Sequence, residues 1–200
     1  MWHWNGSQWQ DYAFQGRAGS GISSLSGTSD GNLWLVGLTG EKQQYGHTVG
    51  IVAAYRLSGT NWQSMKITHV GGQYPTVRVD PSTGVWIGYQ SAKGNAVTVL
   101  DGDGHGYKEY TAPSSGGLAI SLPQTPDGHG GFWLGAWVYF TGKTWENTTN
   151  VPFPNSFGSW DVWDVEKIPG TADSFWGAGV GSPGNSTTSR PLMAVWGPTP

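Results

Sequence analysis

Four copies of one short phrase punctuate this chain. An apolar residue, Trp, and a Gly two or three residues on occur as Leu33-Trp34-Leu35-Val36-Gly37, Val85-Trp86-Ile87-Gly88, Phe132-Trp133-Leu134-Gly135 and Phe175-Trp176-Gly177-Ala178-Gly179. Successive Trp residues lie 52, 47 and 43 positions apart. A period of that size belongs to stacked or radial repeat architectures, and it constrains the fold before any other motif is considered.

A second phrase alternates with the first: Gly, two residues, then an aromatic. It reads Gly6-Ser7-Gln8-Trp9, Gly59-Thr60-Asn61-Trp62, Gly104-His105-Gly106-Tyr107 and Gly142-Lys143-Thr144-Trp145. Between the phrases lie runs of β-branched and aromatic residues that predict strands. Each unit resolves into four. The first strand is expected at 22–27, 75–80, 118–122 and 160–168. A turn follows that holds Asp and usually Gly, as in Asp30-Gly31 and Asp127-Gly128; Asx side chains bond nearby backbone and Gly accepts positive φ. The second strand carries the Trp-Gly phrase. A connection of variable length leads to the third strand, at 50–57, 96–100, 137–140 and 192–196, and the Gly-x-x-aromatic phrase turns it into the fourth.

Four antiparallel strands per repeat of this length make one propeller blade, and blades bury their faces by stacking. The predicted fold is therefore all-β: a β-propeller of four-stranded antiparallel blades, with four repeats in a single domain over 1–200. The units fall near 20–67, 74–112, 117–149 and 158–200, and 1–14 supplies a closing strand to the last blade. Almost no helix is expected, since no stretch shows a helical period. The start at a third-to-fourth-strand hairpin (Trp2 to Trp9) and the stop at Gly197-Pro198-Thr199-Pro200 leave two options open. Either the ring closes on itself, or the chain belongs to a larger or oligomeric ring. Trp9, Trp34, Trp62, Trp86, Tyr107, Trp133, Trp145 and Trp176 take structural roles in the repeat, and the four Trp-Gly tryptophans are expected to be largely buried.

Composition narrows the function. Hydrophobic residues make up 36% and charged residues 12%, with 13 Trp and 33 Gly, which describes a folded domain rich in turns. The net charge is −3 and no basic run occurs, so a nucleic-acid backbone has no electrostatic footprint. No apolar run approaches the roughly 18 residues of a membrane span. Without Cys there is no disulfide, thiol nucleophile or Cys-based zinc site. Met1-Trp2-His3 opens no basic-then-apolar leader; an exported form is expected to have lost its signal or to carry it on a longer parent chain.

The stretch from Ile22 through Asp30-Gly31-Asn32-Leu33-Trp34-Leu35-Val36-Gly37 resembles the "DG-x-LW-x-G" repeat of regulator-type propellers. Continued by Tyr55-Arg56-Leu57-Ser58-Gly59-Thr60-Asn61-Trp62, it is also similar to the tectonin repeat of sugar-binding propellers. The resemblance spans nearly the whole chain and rests on fold motifs. It implies a propeller; for function it implies glycan binding on one side and sensor or scaffold roles on the other. The chain departs from the pattern in its long, uneven connections and in Tyr107, where Trp is usual.

Several motifs suggest chemistry and read more simply as turns. Asp101-Gly102-Asp103-Gly104 opens like a calcium loop, but the twelfth position is Ala112 rather than a carboxylate. Asp30, Gly31 and Trp34 approach the Asp box of sialidase-type propellers with spacing one short, and in that family the box is a structural turn. A sialidase also needs an arginine cluster, and this chain has only Arg17, Arg56, Arg78 and Arg190. The five His residues fall in separate segments without zinc-site spacing, so neither metal nor cofactor is expected. Asn5-Gly6-Ser7, Asn147-Thr148-Thr149 and Asn185-Ser186-Thr187 are sequons that matter only in a eukaryotic secretory context. In the fourth unit, Trp160-Asp161-Val162-Trp163-Asp164-Val165 breaks strict alternation and predicts a bulge or a twist. Packing between blades is the first reading there, and an acidic, aromatic mouth for a sugar or cation the second.

Binding residues concentrate on loops set by rigid scaffolds. The candidate ligand-binding set on the loop face and channel is Arg17, Tyr45, His47, His69, Tyr74, Arg78, Tyr89, Phe157, Trp160, Asp161 and Arg190, with Lys93 beside it. Aromatics among hydrogen-bonding groups suit sugar rings and protein surfaces alike. The expectation is a non-catalytic binding module for glycans or a cell-surface or extracellular partner. The alternative is a scaffold or sensor propeller without a small-molecule site, and a sialidase-like glycosidase comes third.

Overall fold

Alternating runs of β-branched and aromatic residues become strands throughout the computed structural model. It describes residues 1–12, 14, 21–28, 32–67, 71–81, 83–91, 94–100, 106–111, 124–134, 138–147, 157–168, 171, 174–183 and 188–196. Among these there are seventeen strands and no α-helix, so the chain is all-β, and every strand pairing is antiparallel. No helix is long and apolar enough to cross a membrane among the described residues. Packing divides the chain into two compact units, Met1–Leu118 and Ala119–Pro200.

The first unit opens with the hairpin β1 (Trp2–Trp4) and β2 (Trp9–Asp11). A first meander follows: β3 (Gly21–Gly27), β4 (Leu33–Gln44), β5 (His47–Ser58) and β6 (Asn61–Met65). A second comprises β7 (Gly71–Asp80), β8 (Gly84–Ser91), β9 (Gly94–Leu100) and β10 (Tyr107–Thr111). A short ladder, Gly50 opposite Gly72 and Ile51 opposite Gly71, joins the two. The second unit holds a third meander, β11 (Gln124–Pro126), β12 (Phe132–Leu134), β13 (Val138–Phe140) and β14 (Trp145–Asn147). Its other sheet has three strands, β15 (Phe157–Lys167), β16 (Phe175–Pro183) and β17 (Arg190–Trp196).

The second strand of each meander carries the repeated Trp, and the aromatic of the second phrase falls at the start of β6, β10 and β14, as expected. Two of the Asp turns also behave as expected. The Asp80 carboxylate accepts from the Thr83 amide at 3.1 Å, and the Asp127 carboxylate accepts from the amides of His129 and Gly131 at 2.6 and 2.9 Å. Three expectations need correction or fall outside view. The first strand expected at 118–122 lies outside the described residues, and β11 begins at Gln124. The fourth sheet has three strands among the described residues, and β1 and β2 pair with each other. The first meander has no irregular loop between its second and third strands. There β4 and β5 run on to a two-residue turn at Tyr45-Gly46, because Gln43 and Thr48 continue the ladder.

The side of a meander bearing the second-strand Trp is its leading face, and the other is its trailing face. Trp34, Val36, Val52, Ala54 and Met65 on the leading face of the first meander form one core with Val77, Val85, Ile87, Tyr89 and Leu100 on the trailing face of the second. Trp34 is wholly buried, its indole N–H donates to the Asn32 side chain at 3.1 Å, and the Arg56 guanidinium lies 5.8 Å from the ring centroid. In the second unit, Trp133 packs 5.4 Å from Phe175 on the trailing face of the fourth sheet. Trp86 is 3% exposed, but Trp176 is 42% exposed, against the expectation for this set. Residues alternate cleanly along β16: Phe175, Gly177 and Gly179 are buried on the trailing side, while Trp176 and Ala178 are open on the leading side. Trp9 and Tyr107 are exposed as well, whereas Trp62 and Trp145 are half-buried.

Hydroxyls tie successive first strands together. The Val77 and Val79 amides donate to the Ser24 and Ser26 hydroxyls at 3.2 and 3.1 Å, and the Thr125 hydroxyl donates to the Val165 carbonyl. The Gly of the repeated phrase also finds its reason here. First strands bulge opposite it: Ser23 is the extra residue beside Gly37, and Trp163 the extra residue beside Gly179, where broken alternation pointed to a bulge or a twist. A Cβ on Gly37 would run into the Gly21 carbonyl oxygen.

Urea denaturation tests this packing. Trp34→Ala is expected to cost about 3–5 kcal/mol, and Gly37→Ala about 1–3 kcal/mol through the clash with β3. Trp2→Ala, on the open hairpin, is expected to stay within about 0.5 kcal/mol.

Candidate functional site

A bulge adds a residue to one strand, bends it and re-aims its side chains. In the first unit three bulges meet. Ser23 is extra in β3, Thr39 and Gly40 together oppose Ile51 in the β4–β5 pair, and Tyr74 and Pro75 together oppose Tyr89 in the β7–β8 pair. The result is an open cleft of about 640 Å³, inside the range of roughly 300–1,000 Å³ usual for ligand sites. Leu38, Val49 and Gly50 line its inner part. Ser23, Glu41, Thr48, Gln73 and Tyr74 stand around it, all exposed.

The approach of β7 creates the cleft. Its first residues pair with β5 through Gly71 and Gly72, and a Cβ on Gly72 would sit 2.6 Å from the Tyr89 ring. Only Gly brings the strand this close. The chain then turns outward at Tyr74, whose φ is 51°. A bulky residue at positive φ is a steric outlier, and a residue before Pro favours extended backbone. Strain of this kind costs about 1–3 kcal/mol and clusters at binding sites. It leaves Tyr74 57% exposed, over a cleft with hydrogen-bonding groups on several sides.

Tyr45 shares the same φ of 51° and is followed by Gly46 at 79°, forming a hairpin turn of mirror-image type. Asn is the residue that such a turn favours at its first position. Tyr45 and His47 are exposed at the tip of the β4–β5 hairpin, beyond the cleft lining. Of the sequence-derived candidates, the cleft gathers Tyr74. Arg78 is half-buried on β7 opposite Trp86. Tyr89 was expected on the loop face, but it is buried in the core and its hydroxyl donates to Glu109 at 2.6 Å, because β8 extends past it to Ser91. Phe157, Trp160 and Asp161 lie on β15, in register with Pro183, Gly181 and Val180. Arg190 is exposed at the start of β17, opposite Gly181. Arg17, His69 and Lys93 lie outside the described residues, as do Asp30, Gly31 and residues 101–105.

The cleft residues not foreseen are Ser23, Glu41, Thr48 and Gln73. Their signal was weak: polar residues in strand-forming stretches, placed by bulges that periodicity does not locate. Comparison with protein-family models, with curated proteins and with solved structures finds no match to this chain.

The Tyr45 turn yields a direct test. Tyr45→Asn is expected to raise the urea midpoint, with a gain of roughly 1 kcal/mol from relief of left-handed strain. A loss of stability would mean that the Tyr45 ring contributes more packing than its backbone costs.

Proposed function

We propose that the chain is a non-catalytic β-propeller module that binds neutral glycans in the cleft around Tyr74. Two observations support the propeller. Meanders pack leading face on trailing face, and Ser or Thr hydroxyls bridge successive first strands, the strands that would line a propeller channel. The three meanders and the three-stranded fourth sheet are then four blades, of a ring closed alone or with other copies.

The observation that carries the ligand reading is the convergence of three bulges on an open cleft, with an exposed, strained Tyr above it. A sugar presents a C–H face and a rim of hydroxyls. Tyr74 offers a ring for the first, and Ser23, Glu41, Thr48 and Gln73 offer donors and acceptors for the second. The described lining holds no Arg, Lys or His, so a neutral sugar suits it better than a carboxylate-bearing one. It holds one carboxylate, Glu41, while glycoside hydrolysis commonly uses two. Stacking and hydrogen bonding without a reacting pair describe recognition. The setting in which such glycans are met is extracellular or at a cell surface.

A glycan array followed by calorimetry tests the proposal. Neutral oligosaccharides are expected to bind, Tyr74→Ala to weaken binding at least about tenfold, near 1.4 kcal/mol, and Tyr74→Phe to retain most of it. A silent array together with capture of a single protein partner would overturn the glycan reading in favour of a scaffold.

A further inference from the structure

The Tyr74 cleft runs on into the β4–β5 hairpin. In β5, Gly50 pairs with Glu41 of β4 on one side and with Gly72 of β7 on the other. Both pairings are antiparallel, so β7 advances through Gln73 to Tyr74 in the direction in which β4 advances toward the hairpin tip. Directly opposite residues share a face of a sheet. Glu41 with Gly50 and Gln43 with Thr48 therefore lie on one face, and Glu41, Thr48 and Gly50 line the cleft. Glu41, Gln43 and Thr48 are exposed and form a polar strip toward the tip. The Gln43 side-chain amide donates to the Thr48 hydroxyl at 2.6 Å, which leaves that hydroxyl's own proton for an outside acceptor. Tyr45, 62% exposed, stands at the end of the strip, about 13 Å along the strand from Glu41. It shares with Tyr74 a φ of 51°, and these two are the non-glycine residues at positive φ among those described. One stands over the cleft, and the other ends the strip that leaves it.

We infer that the ligand of this site is a linear oligosaccharide, held in the cleft at Tyr74 and again at the hairpin tip, where a further sugar ring stacks on Tyr45. This second subsite presupposes the glycan reading of the cleft. Glu41, Gln43 and Thr48 meet the hydroxyls between the two stacked rings. Backbone strain persists where something holds it, and it clusters at binding sites. At Tyr45 the strain supports an exposed aromatic, where Asn would fit the turn with less. Two contacts with one linear ligand reinforce each other, because the second is intramolecular once the first is made. Affinity therefore rises with ligand length until the tip is reached, while a disaccharide uses the cleft alone. Cleft, strip and turn all belong to the first compact unit.

Calorimetry of the full chain with cello-, manno- and chito-oligosaccharides, as disaccharides and as hexasaccharides, tests this. In the series that binds, the wild type is expected to hold the hexasaccharide at least about tenfold more tightly than the disaccharide. In Tyr45→Asn the hexasaccharide is expected to bind no more tightly than the disaccharide. That substitution is expected to stabilise the fold, so unfolding does not account for the loss. Tyr45→Phe is expected to keep the preference for length, and Tyr74→Ala to weaken both lengths. Equal affinity for the two lengths in the wild type, or a preference that survives Tyr45→Asn, would overturn the second subsite and leave the cleft reading standing. Loss of both lengths in Tyr45→Asn would also overturn it, by placing Tyr45 in the cleft itself. A wild type that binds neither length in any series would remove the cleft reading and the second subsite together.

Discussion

The indole of the second strand, seated on the next meander, is the contact on which the rest depends. A four-stranded sheet has two apolar faces and cannot bury both alone. Trp34 solves this for the first pair of sheets by lying wholly buried among Val77, Val85 and Ile87 of the second meander. Trp133 repeats the arrangement against Phe175. Because each Trp reaches forward, the stack has a direction.

The Gly that follows each Trp answers a second requirement. Successive first strands approach closely enough for Ser24, Ser26 and Thr125 to bond the neighbouring backbone. They reach that position by bulging, and the bulged strand presses against the second strand where Gly37 stands. The same bulges open the cleft. A device that lets the sheets stack thus also turns Ser23 and Tyr74 out of their strands, and the candidate binding surface follows from the packing.

Periodicity made the repeat legible. Strand order, the Asp turns and the bulge at Trp163 followed from phrase spacing and broken alternation, because those signals record backbone geometry directly. The binding candidates were less legible, for identifiable reasons. Tyr89 was grouped with the loop-face candidates, but its alternation with Ile87 and Val85 places it in the core. Glu41 and Thr48 sit in a hairpin whose register slips at Gly40, and a slip of that kind leaves no periodic mark. Trp176 matched the phrase of Trp34, yet burial depends on the sheet that follows, which the phrase does not encode.

Hydroxyl-radical footprinting of the native chain, read by mass spectrometry at each Trp, tests the directional packing most directly. The account predicts that Trp34 and Trp86 remain unmodified while Trp2, the most exposed indole of the hairpin, oxidises readily. Oxidation of Trp34 at the rate of a solvent-exposed Trp in the folded protein would contradict it.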